Sequence, residues 1–333
     1  MGPSHDSRLP NLTTMAAAFR RLSSTTGAGK RPFDRVLKLA QRARAVRAEG
    51  AAEYDYLRSE VAERLTERLE DISLEYDFPT ALDLGSGAGH VRRALGGRGG
   101  VQRLIEVDSC EAALAASAAR HAAEPPADFA VEQLCADEEA ALPVEPGSVD
   151  LVLSNLSLHW TNDLPGAFAH ARAALRPNGL FLGAMLGGET LAELRNSFVA
   201  ADLERRGGVV NHCSPLTRVS DVGSLLQGAG FALPTVDVET ITIGYEDPFV
   251  LMHHLDRMGE AGASAMRSHV PRDAMLAAAA AYQALYANAE GSIPATFEVI
   301  YWVGWAPHES QPRPLRRGSG QASLTGLGGG TLK

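Results

Sequence analysis

Cysteine is scarce: the 333-residue chain holds three, Cys110, Cys135 and Cys213. They form no CxxC pair, and their odd number argues against a disulfide framework, so a reducing compartment is expected. Long apolar runs are missing too. No stretch approaches the roughly 18 consecutive apolar residues of a membrane-spanning helix. An excess of base is also lacking, because 31 Lys and Arg face 40 Asp and Glu for a formal charge of −9. A general nucleic-acid binder needs a broad basic footprint, so no nucleic-acid partner is expected. Metal-ligating clusters are thin as well. The only adjacent histidines are His253 and His254, and neighbouring helical positions point about 100° apart, a poor arrangement for one ion. No metal site is expected.

The charge that is present is uneven. Residues 1–33 carry Arg8, Arg20, Arg21, Lys30 and Arg31 against Asp6 alone, which leaves 26 basic and 39 acidic residues beyond them. The run from Met15 through Arg20, Arg21, Ser23 and Ser24 is Ala-, Arg- and Ser-bearing. That is the composition of an organelle transit peptide, without the apolar core of a secretory signal. We expect 1–32 to be a mitochondrial leader or a disordered tail, and 309–333, rich in Pro, Arg and Gly, to be mobile.

Between these ends hydropathy is periodic. Phe33–Gly50 reads as a basic helix through Arg35, Lys38, Arg42, Arg44 and Arg47, and Leu57, Val61, Leu65 and Leu69 mark an amphipathic second helix. From Thr80 strand-length apolar runs (Ala81–Leu84, Leu104–Val107, Val149–Leu153, Leu180–Met185) alternate with helical stretches (Ala88–Leu95, Glu111–Ala119, Leu164–Leu175). Such alternation predicts βαβ units and a parallel sheet covered on both faces. Further on, Leu191–Arg206, Ser220–Gln227, Phe249–Met258 and Ala274–Ala287 read as helices, and Val236–Ile243 and Thr296–Trp305 as strands. One elaborated α/β domain fits: helices in 33–78, a binding core in 79–187, and the remainder with substrate-side helices in 188–308.

The chemistry-bearing signal is Leu82-Asp83-Leu84-Gly85-Ser86-Gly87-Ala88-Gly89, placed between a strand and a helix. Glycines there let the backbone approach a ligand, and the helix N-terminus adds partial positive charge. A dinucleotide fingerprint wants G-x-G-x-x-G, but His90 stands where its last glycine belongs. Asp83 suits a ligand with an ammonium group better than a pyrophosphate. A tight strand–helix connection that binds nothing is the alternative. Asp108 ends the next strand 23 residues after Gly85, the place of a ribose-binding acid; capping of the next helix by Asp108 or Ser109 is the competing role. Asp137 lies in an acidic segment that could equally be a solvated loop.

Together the LDLGSGAG turn, Asp108, Ala136-Asp137, Val149–Asn155 and Leu175-Arg176-Pro177-Asn178-Gly179 resemble the class I S-adenosylmethionine-dependent methyltransferases over residues 79–187. The resemblance implies a Rossmann-like seven-stranded sheet, mainly parallel with the last strand antiparallel, plus helical insertions. It also implies an S-adenosyl-L-methionine site. Gly85 and Gly87 would approach the methionine part, with Asp83 and Ser86 supporting that turn. Asp108 with Ser109 would bind the ribose hydroxyls, Ala136 and Asp137 the adenine edge, and Asn155 would border the transferred methyl.

A closer resemblance rests on Phe33-Asp34-Arg35, Ser154–Trp160, Asn162–Pro165, Gly187–Leu191, Met258-Gly259-Glu260, and Trp305 followed by His308–Gln311. These segments are similar to the mitochondrial complex I assembly factors of the arginine-hydroxylase type, a methyltransferase type 11-like family of the organelle matrix. This resemblance implies hydroxylation of an arginine on an iron–sulfur subunit of NADH dehydrogenase. A more distant likeness is to the carrier-protein O-methyltransferases of the biotin pathway. Methyl transfer to a small acid or carrier protein, and a non-catalytic assembly chaperone, therefore stay open.

For an arginine-bearing substrate we look first at Glu189 and Glu193. They are four residues apart on the following helix, share a face and could clamp a guanidinium. A first-turn dipole role for Glu189 and a surface pair for Glu193 are the plain alternatives. His159 and Trp160 border the same region by position, though Trp160 could equally be core. The basic helix suits an acidic partner or the inner-membrane surface, against the more usual outcome of a solvated face.

Overall fold

The computed structural model describes residues 31–73, 76–125, 127–267 and 269–312. Nearly all of the expected leader, and the tail beyond residue 312, lie outside the described residues. Helix α1 (Arg35–Arg47) is capped by Asp34, whose carboxylate accepts from Leu37 N. A short 3-10 turn over Ala51–Tyr54 leads to α2 (Tyr56–Ser73). Then follow β1 (Thr80–Leu84), α3 (His90–Leu95), β2 (Arg103–Asp108), α4 (Glu111–Ala123), β3 (Ala130–Cys135), β4 (Val149–Asn155), α5 (Leu164–Ala174) and β5 (Leu175–Leu186). The C-terminal half adds α6 (Ala192–Arg206), α7 (Val219–Gly228), β6 (Ala232–Tyr245), α8 (Pro248–Arg257), α9 (Arg272–Tyr286) and β7 (Ile293–Trp305). Among the described residues no helix is long and apolar enough to cross a membrane.

The seven strands form one sheet in the order β3-β2-β1-β4-β5-β7-β6. β1 to β5 pair in parallel, and β7 runs antiparallel to both β5 and β6. Side chains on a strand alternate between its faces. Accordingly Leu180, Leu182 and Ala184 of β5 join one apolar cluster with Leu57, Val61, Leu65 and Leu69 of α2. Phe181 and Met185 point the other way and pack with Phe168 of α5 and Trp302 of β7. Both faces are covered, which is why the central strands read as continuous apolar runs. In the second cluster Phe181 meets Phe168 edge-on at 5.2 Å and Trp302 at 5.4 Å. Each such aromatic pair adds about 0.5–1.5 kcal/mol beyond area burial.

Strand order reverses between β1 and β4. In open α/β sheets the crevice at that switch point, beyond the carboxyl ends of the strands, is where ligands bind. The glycine turn leaves β1 there, and Leu156 and Ser157 leave β4 beside it.

Candidate active site

Gly85, Gly87 and Gly89 all take positive φ, at 76°, 58° and 78°. Gly85 N and Ser86 N donate to Val107 O at 2.8 and 3.1 Å, which ties the turn to β2. A Cβ on Gly85 would overlap the Ser157 side chain, whereas one on Gly87 would meet only His90 Cδ2, at 4.0 Å. The first glycine is demanded by packing. The second keeps space open.

Beneath the turn lie three buried acids, Asp83, Glu106 and Asp108. Ser117 Oγ and Gln133 Nε2 donate to Glu106. Asp108 accepts from Cys110 N at 2.7 Å, Gly87 N at 2.8 Å and the Arg42 guanidinium at 2.5 Å. Both oxygens of Asp83 are buried and, among the described residues, have no hydrogen-bond partner. Burial, and then the neighbouring charges of Glu106 and Asp108, push the Asp83 carboxyl well above the usual aspartate range. An unpaired buried carboxyl is costly, and a cationic ligand group would relieve it. With the open glycine at 87, this donor and acceptor set fits S-adenosylmethionine.

A cleft lies above the turn, and the space among its lining atoms, open solvent included, is about 310 Å³. Gly85, Ser86, Gly87 and His90 form one side, and Asn155, Leu156 and Ser157 another. Burial, with Arg58, Arg93 and Arg120 nearby, holds His90 toward its neutral form. Ser154 Oγ donates to Leu84 O at 2.9 Å, joining the ends of β4 and β1. Asn155 Nδ2 donates to Arg58 O at 2.9 Å, while its Oδ1 is buried and has no partner among the described residues.

Helix α1 closes the cleft from above. Lys38 Nζ donates to Gly259 O and Ala261 O at 2.9 and 2.7 Å and sits 3.4 Å over the Trp160 ring. Burial pushes the Lys38 ammonium down to about 7. Arg35 pairs with Asp137, Glu138 and Glu139 at 2.9, 3.0 and 2.7 Å, and Arg42 reaches Asp108. The remaining wall centres on Glu260, just beyond α8. Its carboxylate accepts from the Arg58 guanidinium, from Trp160 Nε1 at 2.7 Å and from His159 Nε2 at 3.2 Å. Burial opposes ionisation of Glu260, but Arg58 and His159 outweigh it and hold the group far below the usual glutamate range. Burial keeps His159 toward neutrality even beside that carboxylate.

A family profile described as a methyltransferase domain matches residues 82–183. A zebrafish (Danio rerio) protein named arginine-hydroxylase NDUFAF5, mitochondrial, is 42% identical over 318 residues, 95% of each chain. The human (Homo sapiens) protein of that name is 43% identical over 297 residues, 89% of this chain and 83% of its own. The chain belongs to the arginine-hydroxylase NDUFAF5 family. Among solved structures, the YcgJ protein of Bacillus subtilis matches with a TM-score of 0.52 at 16% identity, covering 74% of this chain and 99% of its own, a likeness of fold. The seven-stranded class I methyltransferase architecture implied by the resemblance is thus the fold of this family member.

Within that fold the expected residues do not all converge. Gly85, Ser86, Gly87 and Asn155 line one cleft, and Asp108 bonds to Gly87 N within it. Asp83 lies beneath, in the acidic trio. Ser109 and Ala136 flank Asp108, with Ala136 N donating to Asp108 O at 3.2 Å. The Asp137 side chain is 49% exposed and engaged by Arg35. Neither Asp108 nor Ser109 caps α4; Cys110 holds that position, and Asp108 turns its carboxylate to the amide of Cys110 instead. Trp160 reaches the cleft, while His159 is buried behind it against Glu260.

The paired-glutamate geometry needs correcting. Leu191 adopts φ 54° and α6 begins at Ala192, so Glu189 lies in the preceding turn, exposed, and shares no helical face with Glu193. Glu193 is bonded to the hydroxyl of Thr296. The basic helix divides: Arg42 lines the cleft, Arg35 and Lys38 turn inward to Asp137–Glu139 and to the carbonyls of Gly259 and Ala261, and Arg44 and Arg47 stay exposed. His253 and His254 meet tyrosine hydroxyls of Tyr54 and Tyr56 at 3.4 and 3.1 Å. Arg42, Arg58, His90 and Glu260 were not expected in the site. The Met258-Gly259-Glu260 segment and the run of arginines in α1 were the available signals.

Proposed function

We propose that this protein is a mitochondrial arginine hydroxylase that binds S-adenosylmethionine in the cleft over Gly87 and acts on an arginine of an iron–sulfur subunit of NADH dehydrogenase, in the matrix. The observation that carries this reading is relatedness along nearly the full chain to proteins named as arginine hydroxylases. The unpaired Asp83 and the open space at Gly87 support the cofactor assignment. The acidic body suits capture of a basic segment.

In this reading Gly85 and Gly87 present backbone to the methionine part, with Asp83 and Ser86 below it. Asp108 takes the ribose hydroxyls. Three donors already meet that carboxylate, which offers about four acceptor positions. Ser109, Ala136 and Asp137 continue toward the adenine, and Asn155 borders the sulfonium. When bound, S-adenosylmethionine supplies an activated methyl on a positively charged sulfur. Insertion of oxygen into a C–H bond is an oxidation that side chains do not perform unaided. The residues named here bind and orient, while Trp160 and helix α1 screen the cleft from water.

Calorimetry with S-adenosylmethionine is the first test, and absence of binding ends the cofactor assignment. Mass spectrometry of complex I iron–sulfur subunits, from cells with and without this protein, tests the activity. Loss of one oxygen from a single arginine supports hydroxylation, and loss of one methylene points to methyl transfer. Unchanged mass removes the enzymatic reading and leaves an assembly chaperone.

A further inference from the structure

Asp108, the acid assigned to the ribose, is already crowded. Its Oδ2 accepts from Gly87 N at 2.8 Å and from the Arg42 guanidinium at 2.5 Å, and its Oδ1 accepts from Cys110 N at 2.7 Å. Each carboxylate oxygen offers about two acceptor positions. That leaves a single position, on Oδ1, whereas two neighbouring ribose hydroxyls call for a pair. A donor must leave before both hydroxyls are held. The three donors differ in how firmly they are fixed. Gly87 N belongs to the glycine turn, which β2 ties down through Val107 O, and Cys110 N stands at the start of α4. Arg42 arrives from α1, 66 positions away in sequence, on a long side chain with many rotamers. Its guanidinium also takes up room. The cleft it lines, about 310 Å³ with open solvent counted, lies at the low end of the roughly 300–1,000 Å³ of small-molecule sites.

A second carboxylate stands within reach of Arg42. Cys135 is the register partner of Asp108 across β2 and β3, and Glu138, just beyond it, is buried. There Asp137, Glu138 and Glu139 share the one guanidinium of Arg35, at 2.9, 3.0 and 2.7 Å. One cation against three acids leaves buried negative charge short of compensation. Burial pushes the Glu138 carboxyl above the usual glutamate range, although Arg35 and then Arg42 favour its charge. Arg42 feels both acids in turn. Burial opposes its charge, while Asp108 first and Glu138 next favour it.

We infer that Arg42 is a gate on the cofactor site: its guanidinium rests on Asp108 when the gate is shut and passes to Glu138 when ribose hydroxyls take Asp108. The gate rests on the assignment of Asp108 to the ribose. It asks for a swing of one side chain and not for release of α1, which Lys38 holds to Gly259 O and Ala261 O. The swing exchanges one carboxylate partner for another, so no buried charge is stranded. Cofactor affinity is then set by the contest between Arg42 and the ribose for one acid.

The test is calorimetry on the full-length protein with S-adenosylmethionine as probe. A gate open about one-tenth of the time lowers the apparent affinity about tenfold. Arg42→Met keeps the stem and removes the gate, so it should bind the probe about tenfold more tightly than the wild type. Glu138→Gln removes the receiving carboxylate and should weaken binding several-fold. In the Arg42→Met background Glu138→Gln should change nothing, which a merely structural role for either residue does not explain. Equal or weaker binding by Arg42→Met than by the wild type overturns the gate and leaves the cofactor assignment standing. So does an effect of Glu138→Gln that is the same in both backgrounds. If Arg42→Met does not fold, Glu138→Gln alone decides: wild-type affinity in that variant overturns the gate. No binding by the wild type or by either variant ends the cofactor assignment and the gate together.

Discussion

Two alanine substitutions, two residues apart, should fail in different ways. Gly85 and Gly87 both hold positive φ, so alanine at either costs about 1–2 kcal/mol in backbone strain. At Gly85 the new methyl also collides with the side chain of Ser157, a buried residue just after β4. Overpacking of that kind adds about 1–3 kcal/mol. Gly85→Ala should therefore lose about 2–5 kcal/mol and Gly87→Ala only about 1–2 kcal/mol. At about 1.5 °C per kcal/mol, from roughly 2.1 cal/mol/K of unfolding entropy per residue, differential scanning calorimetry separates the two midpoints. Ligand affinity should rank the other way relative to stability. The methyl at Gly87 points into open space 4.0 Å from His90 Cδ2, the volume assigned to the cofactor. A loss of about 1.4 kcal/mol, or tenfold, in S-adenosylmethionine affinity is the least expected there. If Gly87→Ala binds the cofactor as the wild type does, the ligand does not approach this glycine. If it melts as low as Gly85→Ala, the clash with Ser157 does not govern stability.

Arg42→Leu keeps the buried stem of the side chain but leaves Asp108 without its cation, and urea denaturation should show a loss of up to about 3–5 kcal/mol; a change under about 1 kcal/mol would mean the two backbone amides suffice. The Asp83 carboxyl is raised in the folded state, so the native protein binds more protons than the unfolded chain above the ordinary aspartate value of 3.8 and loses stability as pH rises through that window. Asp83→Asn should flatten this dependence, gaining on the wild type at pH 8 and matching it below pH 4; parallel curves for the two proteins would refute the assignment. In the second core, a methyl at Gly183 would overlap the Trp302 ring, and Gly183→Ala should cost about 1–3 kcal/mol in chemical denaturation, with no loss expected if Trp302 can swing aside.

Much of the fold was legible because its signals are local. The four-residue spacing of Leu57, Val61, Leu65 and Leu69 predicts a buried helical face, and all four are buried on α2. The continuous apolar strands announced a sheet covered on both faces. β3 was faint because it is a sheet edge, and its residues Ala130–Cys135 are exposed or half-buried rather than apolar throughout. The start of α6 departs from the local pattern because Leu191 takes a left-handed conformation that no propensity favours.

Sequence alone determined the strand–helix alternation, the glycine turn after β1 and the acid that ends β2. Each is encoded within a few neighbouring residues by periodicity or by the steric freedom of glycine. Only the tertiary structure decided which charges meet. Arg42 reaches Asp108 across 66 positions and Arg58 reaches Glu260 across 202. Nothing in a chain's local pattern selects one carboxylate among many as the partner of an arginine. That choice is made when the sheet order brings the ends of β1, β4 and the segment beyond α8 to a single crevice, and burial there makes every unpaired charge costly.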